Sequence, residues 1–246
     1  MLHIRMNNNI EKRLEPTMKN EKLKQLFTKY WHIVYALYIP IYLISFFSIE
    51  SIEYDHVTII HSPIDDLIPF CKYFIIPYLL WFIYMALPIV FFFFYSQNEF
   101  VKYVSFLIIG MSTCLVLYVV FPSGLELRPD HIDTSDIFGS LVNFVYTADN
   151  SYNVCPSIHC LNSFGAHIAI RKCEYFQKRP AFIYCSFILV VLICLSTFFL
   201  KQHSIYDCLT AIPLAAIIYL LVYKWFPRIL EAHKTHKSRR KITKHA

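Results

Sequence analysis

The chain has 246 residues, of which 57% are hydrophobic, 17% aromatic and only 16% charged, with a formal net charge of +6 at pH 7. This composition is too apolar for an ordinary soluble domain. It excludes a soluble globular enzyme and indicates an integral membrane protein.

Six apolar runs follow one another along the chain, and a helix needs roughly 20 apolar residues to cross the hydrocarbon core. Because backbone in lipid must satisfy its own hydrogen bonds, and because the runs lack the strict alternation of a barrel, we predict helices. The predicted fold class is all-α, a polytopic six-helix membrane bundle. The predicted spans are Lys29–Phe47, Tyr73–Phe94, Tyr103–Phe121, Ser157–Ile170, Ala181–Leu200 and Cys208–Trp225.

The fourth run, Ser157–Ile170, is short and contains polar side chains: His159, Asn162, Ser163 and His167. Polar groups that face lipid are costly. We therefore expect these side chains to face protein or water.

Basic residues set the predicted orientation, because they concentrate on the cytoplasmic side of membrane proteins. Three segments are basic: a tail at 1–28, the loop between the fourth and fifth spans, and a tail at 227–246. We therefore predict that all three lie in the cytoplasm and that the two tails border a membrane domain at 29–226. The basic residues are Lys12, Arg13, Lys19, Lys22, Lys24, Arg171, Lys172, Lys178, Arg179, Lys234, Lys237, Arg239, Arg240, Lys241 and Lys244.

The alternate segments then face outward, and we expect a plasma-membrane protein whose site lies on the outer face. These segments are an acidic stretch, the loop Pro122–Cys155 and the turn Lys201–Asp207; the acidic stretch holds Glu50, Glu53, Asp55, Asp65 and Asp66. The position of the basic tail directly after a membrane helix favours contact with anionic lipid headgroups over nucleic acid.

The eight cysteines form no recognisable framework. Cys114, Cys185 and Cys194 fall inside apolar helices, where cysteine is usually a small apolar filler, and Cys173 falls in a cytoplasmic loop. The other four lie near the predicted outer face, where one pair could oxidise: Cys71, Cys155, Cys160 and Cys208.

The first histidine motif, Pro156-Ser157-Ile158-His159, opens the fourth span. Proline suits the first helical position, and we place Pro156 there. Free backbone N–H groups and the positive end of the helix dipole favour a phosphate oxygen at such a terminus. A purely structural interpretation is that Ser157 caps the helix and His159 is an interfacial histidine.

The second motif places Asp207 four residues after His203, so the two side chains share a helix face. An imidazole nitrogen can carry a phosphoryl group when a second histidine protonates the leaving oxygen and a carboxylate fixes the tautomer of the attacking ring. Asp207 could instead only cap the sixth helix. Because both motifs fall on the same predicted membrane face, we favour phosphoryl transfer by His159, His203 and Asp207.

A third element is Arg128-Pro129 in the outer loop. The proline favours an extended Arg128, and a guanidinium can bind two phosphate oxygens at once. The alternative is a solvated ion pair with one of three aspartates in the same loop: Asp130, Asp133 and Asp136.

Together these residues resemble the type 2 phosphatidic acid phosphatase superfamily, whose motifs are Lys-x6-Arg-Pro, Pro-Ser-x-His and Ser-Arg-x5-His-x3-Asp. The second motif is intact here, the first keeps Arg128-Pro129, and the third keeps Ser196, His203 and Asp207. The resemblance implies a six-helix bundle with an outward-facing site.

The resemblance also implies a role for each matched residue. His203 would be the nucleophile that forms a phosphohistidine, Asp207 would orient it, and His159 would be the acid. Arg128 and Ser157 would hold the phosphoryl oxygens of a lipid phosphate or pyrophosphate. Such a site needs no metal or cofactor, because arginine and backbone donors neutralise the developing charge.

Two cations of the family pattern are replaced here, by Phe121 in the first motif and Thr197 in the third. Lys201 is the candidate to compensate as a phosphate-binding residue. A site with fewer cations suits a monoanionic phosphodiester. The third motif without its arginine is also similar to the sphingomyelin synthase and inositol phosphorylceramide synthase branches, which transfer headgroups between lipids.

Two further alternatives remain at this stage. One is a non-catalytic membrane protein that keeps the fold. The other is a metal-dependent hydrolase in which His159, His203, Asp207 and Cys155 bind zinc, although no His-Glu-x-x-His pair supports it.

Overall fold

The computed structural model describes residues 34–226 except residues 36, 53 and 55. Both predicted tails, 1–28 and 227–246, lie outside the described residues. So do residues 29–33 of the first predicted span, the basic clusters of the tails, and Glu53 and Asp55.

The described chain is mostly helical. Its helices are α1 (Tyr38–Glu50), α2 (Pro63–Leu67), α3 (Ile75–Tyr95), α4 (Gln97–Val120), α5 (Ile137–Ala148), α6 (Ile158–Lys172), α7 (Glu174–Gln177), α8 (Pro180–Phe199) and α9 (Ile205–Tyr219). A 3₁₀ turn at Lys72–Phe74 leads into α3, and α9 continues as a π-helical segment at Leu220–Trp225.

Within the described residues, four helical segments are long and apolar enough to cross a membrane, namely Lys72–Tyr95, Gln97–Val120, Pro180–Phe199 and Ile205–Trp225. Large apolar side chains such as Phe94 and Tyr184 cover their outer faces. These four helices fit an integral membrane protein and correspond to the second, third, fifth and sixth predicted spans. A count of six crossings remains a prediction, since α1 has 13 residues and α6 has 15.

Helix α6 is the central helix of the bundle and packs against α3, α4, α8 and α9. Asn162 and Ser163 on this helix are fully buried, and the His167 ring pairs with the Ser186 hydroxyl at 2.9 Å. The expectation that the polar groups of the fourth run face protein is confirmed for these three residues. Enclosure by four neighbours explains how a short, partly polar helix is tolerated, because its polar side chains do not meet lipid.

Helix α5 lies within the segment that the sequence analysis treated as a loop. The Asp136 carboxylate caps its start by accepting a hydrogen bond from the Gly139 N–H at 2.8 Å. Val142 and Val145 of α5 are buried against Ile75, Tyr78 and Leu200. This apolar contact fixes α5 over the end of the bundle where α3 begins and α8 finishes.

The remaining loops at this end are joined by short strands. Strand β1 (Thr58–Ile59) pairs in parallel with β2 (Ser123–Gly124), and Gly124 also bridges to Tyr152. A Cβ atom at Gly124 would come within 3.0 Å of Val57 Cγ1 and 3.1 Å of Tyr152 Cδ1, so glycine permits this close approach. Three distant loop segments are thereby held together beside the start of α6.

Candidate active site

The two histidine motifs meet at this end of the bundle. The Nδ1 atom of His159 lies 3.4 Å from Nε2 of His203, and Nδ1 of His203 lies 3.2 Å from an Asp207 carboxylate oxygen. His203 is 6% exposed and Asp207 is fully buried. The three side chains therefore form one continuous chain in which the carboxylate engages the far nitrogen of His203 and leaves Nε2 directed at His159.

The start of α9 fixes the positions of His203 and Asp207. Ser204 is the N-cap of α9, and its backbone N–H donates to the same Asp207 oxygen at 2.9 Å. The Thr197 carbonyl accepts hydrogen bonds from the backbone N–H groups of Gln202 and His203. His203 is therefore held from both sides, by the end of α8 and by the first turn of α9.

The first helical position of α6 is Ile158, two residues later than the predicted position at Pro156. Ser157 is the N-cap, as in the purely structural interpretation, and its hydroxyl accepts from the Cys160 N–H at 3.3 Å. Pro156 thus precedes the cap instead of occupying the first helical position. The Ser157 N–H donates to the Asp207 carbonyl at 3.0 Å, which joins the starts of α6 and α9.

Two aromatic rings of α3 flank His159. The ring centroids of Tyr78 and Trp81 lie 4.7 and 4.4 Å from the His159 ring. These rings form an apolar wall on one side of the histidine pair.

Arg128 is held at the end of α5. Its guanidinium donates to the carbonyls of Tyr146, Asp149 and Asn150 and, at 2.8 Å, to the side-chain oxygen of Gln202. Carbonyls at a helix C-terminus carry the negative end of the dipole and suit a cation. The guanidinium is thereby connected to Gln202, the residue that directly precedes His203.

Two of the three aspartates that compete for Arg128 in the sequence interpretation have other partners. Asp133 and Asp136 pair with Lys72 at 3.2 and 2.9 Å. Burial lowers the pKa of the Arg128 guanidinium from its ordinary value, while the Asp149 carboxylate acts in the opposite direction. Because the ordinary value is so high, the guanidinium remains charged. Burial also raises the pKa of the Asp149 carboxyl, and His203 and Arg128 oppose that rise.

Lys201 has partners other than the histidine pair. Its ammonium group donates to the carbonyls of Asp65 and Ile68 at the end of α2, at 2.6 and 2.5 Å, and the residue is 8% exposed. These contacts give Lys201 a role in fixing α2 against the turn between α8 and α9. The Lys201 amine therefore already has two backbone partners, and its role as a phosphate-binding residue stays a prediction.

Asp65 also joins α2 to the start of α9. Sequence reasoning did not identify it as a site residue. One of its carboxylate oxygens accepts from the Ser204 hydroxyl at 2.6 Å, and the other accepts from the Ile205 N–H at 3.0 Å. A buried carboxylate thus meets the N-terminus of α9, where the helix dipole favours negative charge. The sequence signal for it is the Ser62-x-x-Asp65 capping box, which predicts a helix start but not its partner.

Among the buried donors that have no hydrogen-bond partner within the described part of the chain, three belong to residues linked to the histidine pair. They are Nε1 of Trp81, Nε of Arg128 and Nε2 of Gln202. Buried donors normally find an acceptor. Trp81 and Gln202 were missed by sequence reasoning, because a tryptophan in an apolar span and a glutamine in a turn carry no distinctive spacing.

The residues at the two replaced cation positions have different surroundings. Thr197 is fully buried and its hydroxyl donates to the Cys194 carbonyl at 2.8 Å, while Phe121 at the end of α4 is 46% exposed. Neither side chain therefore supplies a positive charge to the site.

The zinc set considered from sequence does not assemble here. Within the described residues, the side chains whose ligand atoms all lie within 4.8 Å of one another are Cys160, Cys194 and Cys208. The predicted set of His159, His203, Asp207 and Cys155 does not form such a group.

Comparison with known families supports the resemblance seen in the motifs. The PAP2 superfamily matches residues 99–231, which is more than half of the 246 residues. Comparison with the curated proteins and with the solved structures gave no significant match. The matched region contains Arg128, Ser157, His159, His203 and Asp207, and the chain belongs to the PAP2 superfamily.

Proposed function

We propose that this protein is a membrane phosphohydrolase that removes phosphate from a lipid phosphate or pyrophosphate through a phosphohistidine on His203. Membership of the PAP2 superfamily supports a phosphatase-type or phosphotransferase-type activity. The observation that carries the finer proposal is the chain of contacts from His159 through His203 to the buried Asp207 carboxylate.

In the first half-reaction, the lone pair of His203 Nε2 attacks phosphorus and the bond from phosphorus to the leaving oxygen breaks. Asp207 keeps the proton of His203 on Nδ1, so that Nε2 is the free nucleophile. His159 donates its proton to the leaving oxygen. In the second half-reaction, His159 takes a proton from water, the water oxygen attacks phosphorus, and the N–P bond to His203 breaks to release phosphate.

The spacing of the two rings requires a movement in this mechanism. A separation of 3.4 Å between His159 Nδ1 and His203 Nε2 leaves no room for a phosphoryl group between them. His203 is fixed by Asp207 and by the backbone of α8 and α9, whereas the His159 ring contacts Tyr78 and Trp81 through its faces. His159 is therefore the ring that moves when substrate enters.

The unpartnered donors support an anionic substrate. The guanidinium of Arg128, the amide of Gln202 and the indole of Trp81 each retain a buried N–H without an acceptor among the described residues. Phosphoryl oxygens would satisfy these donors, and preorganised donors that meet developing charge are a major source of rate enhancement. We assign the phosphate contacts to Arg128 and Ser157, with Gln202 and Trp81 as additional donors.

The test is turnover by the purified protein in detergent. Phosphatidic acid, a polyprenyl pyrophosphate and a phosphodiester lipid are supplied in turn, and both released phosphate and new lipid products are measured. We expect released phosphate from one of the first two substrates and none from a His203→Asn variant. Absence of any turnover with a correctly folded protein would favour the non-catalytic alternative.

A second candidate is a lipid headgroup phosphotransferase, in which an alcohol rather than water resolves the intermediate. The observation that favours it is the low number of cations, since Thr197 and Phe121 occupy the family's cation positions and Lys201 binds backbone carbonyls. A monoanionic phosphodiester needs less positive charge than a dianionic monoester. New lipid without released phosphate in the same assay would establish this activity instead.

We further propose that both termini are cytoplasmic and that the site opens on the outer face of the plasma membrane, as the basic segments suggest. Two exposed positions test this orientation, Ser135 before α5 and Lys178 before α8. In intact cells, an impermeant thiol reagent should label Ser135→Cys above the background of the parent chain and should not label Lys178→Cys. The reverse pattern would place the site in the cytoplasm.

A further inference from the structure

Three cysteines from three different helices converge beside the candidate active site. The Sγ atoms of Cys160 on α6, Cys194 on α8 and Cys208 on α9 all lie within 4.8 Å of one another. Cys160 is buried and the other two are partly buried. From sequence alone, Cys194 was predicted to be an apolar filler inside a helix, whereas Cys160 and Cys208 were predicted to lie near the outer face.

The arrangement has the dimensions of a metal site. Metal–sulfur bonds of about 2.3 Å place three sulfurs around one ion about 4 Å apart. The three thiols need to contract only slightly from their present separations. Because each sulfur comes from a different helix, a single ion would join α6, α8 and α9.

The donor set selects the type of ion. The group consists of three sulfurs and includes no histidine or carboxylate of the described residues. Soft thiol ligands select Cu(I) and zinc over hard cations such as Mg²⁺ and Ca²⁺. Structural zinc takes four ligands in a tetrahedral arrangement, so three sulfurs leave its shell incomplete. A d¹⁰ monovalent ion such as Cu(I) is satisfied by three-coordinate sulfur.

We propose that Cys160, Cys194 and Cys208 form a binding site for a soft monovalent metal ion, Cu(I). The ion enters already reduced, and its binding releases thiol protons to the solvent. Cys160 directly follows His159 and Cys208 directly follows Asp207. The occupied site therefore fixes the first turns of α6 and α9 relative to each other, one helical position away from the catalytic groups.

Binding is tested on the purified, reduced protein in detergent. Cu(I) is supplied with a chromogenic Cu(I) chelator as competitor, and bound copper per chain is measured. We expect one Cu(I) per chain and an unfolding temperature that rises by several degrees, because a ligand that binds the folded state stabilises it. Cys194→Ser should weaken Cu(I) binding by about 100-fold or more. Loss of a residue that only hydrogen-bonds to a metal ligand weakens binding by about 100-fold at most.

Two matched controls are Cys185→Ser on the same helix and Cys114→Ser, which removes a buried cysteine outside the cluster. Both should bind Cu(I) like the parent chain. Equal binding by Cys194→Ser and the parent chain would overturn the proposal.

A measurement on the unsubstituted protein covers the case in which Cys194→Ser does not fold. Alkylation followed by peptide mapping should show that Cu(I) protects the partly buried Cys194 and Cys208 and leaves the exposed Cys185 reactive. Uniform labelling with and without Cu(I), or a disulfide within the cluster of the purified protein before copper is added, would contradict a metal site. These readouts do not depend on enzymatic turnover, so they stand apart from the test of the proposed function.

Discussion

The histidine half of the candidate site and its anion-binding half are built in different ways. His203 lies directly before the Ser204 N-cap and Asp207 lies in the first turn of α9, so their contact follows from local geometry at this helix start rather than from a shared helix face. Arg128, Gln202 and Trp81 come from a loop, a turn and an apolar helix, and they meet only through tertiary structure. Reaction chemistry that lies within one helical turn can thus be inferred from spacing, whereas the surroundings that bind the substrate cannot.

The largest expected effect is on the nucleophile. His203→Asn should abolish turnover and adduct formation, because it removes the ring that Asp207 orients. His159→Asn should still form the adduct when the leaving group is activated and needs no protonation. Turnover with the natural and the activated substrate, measured on both variants, separates the two roles.

Asp207→Asn should lower turnover by about 10⁴-fold, as expected when a carboxylate that fixes a catalytic tautomer becomes an amide. The amide keeps the size of the side chain, so the unfolding temperature should change much less than the rate. A variant with near-normal turnover would show that the Ser204 cap alone orients this helix start.

The anion-binding half should respond less strongly. Arg128→Lys should lower turnover by about 10²–10³-fold, the usual effect of losing one transition-state donor, because an ammonium group cannot keep the carbonyl contacts of the guanidinium and also offer the unpartnered N–H of Nε. The control is Lys201→Met, which removes a cation held by the carbonyls of Asp65 and Ile68. It should lower the unfolding temperature with little change in KM. Weaker substrate binding in Lys201→Met than in Arg128→Lys would restore Lys201 as the phosphate-binding cation.

Asp65 and its neighbour Asp66 give a matched pair of smaller changes. Asp65 is buried and accepts hydrogen bonds from Ser204 and Ile205, whereas Asp66 is exposed and pairs with His61. Asp65→Asn should cost about 1.5–3 kcal/mol of unfolding free energy for a lost charge-assisted hydrogen bond, and it should reduce kcat through the start of α9. Asp66→Asn should leave both quantities nearly unchanged. Equal effects in chemical denaturation would show that Asp65 has no special role.

The smallest expected change is at Cys155, whose thiol lies 3.4 Å from the Thr210 hydroxyl. Cys155→Ser should preserve that contact and retain turnover, because the proposed chemistry uses imidazole. Loss of activity in a folded Cys155→Ser variant would support a thiol or metal mechanism.

Four candidate spanning helices of the described chain could be predicted from sequence, because apolar length is a local property. The meeting of His159 with His203 followed from the placement of both motifs on one predicted membrane face. Helix α5 could not, since its apolar face is short and its stability comes from packing against Ile75 and Leu200. The contacts of Lys201 could not be predicted from sequence either. A lysine in a turn between spans has no pattern that distinguishes a phosphate ligand from a cation that binds the carbonyls of another helix.

The most direct test of the account is to locate the covalent intermediate. The purified protein is mixed with labelled substrate and quenched at alkaline pH, since phosphohistidine is labile in acid, and the modified peptide is mapped by mass spectrometry. The account predicts one phosphoryl or phosphodiester group, carried by His203 and absent from His203→Asn. An adduct on another residue, or one that persists in His203→Asn, would contradict it.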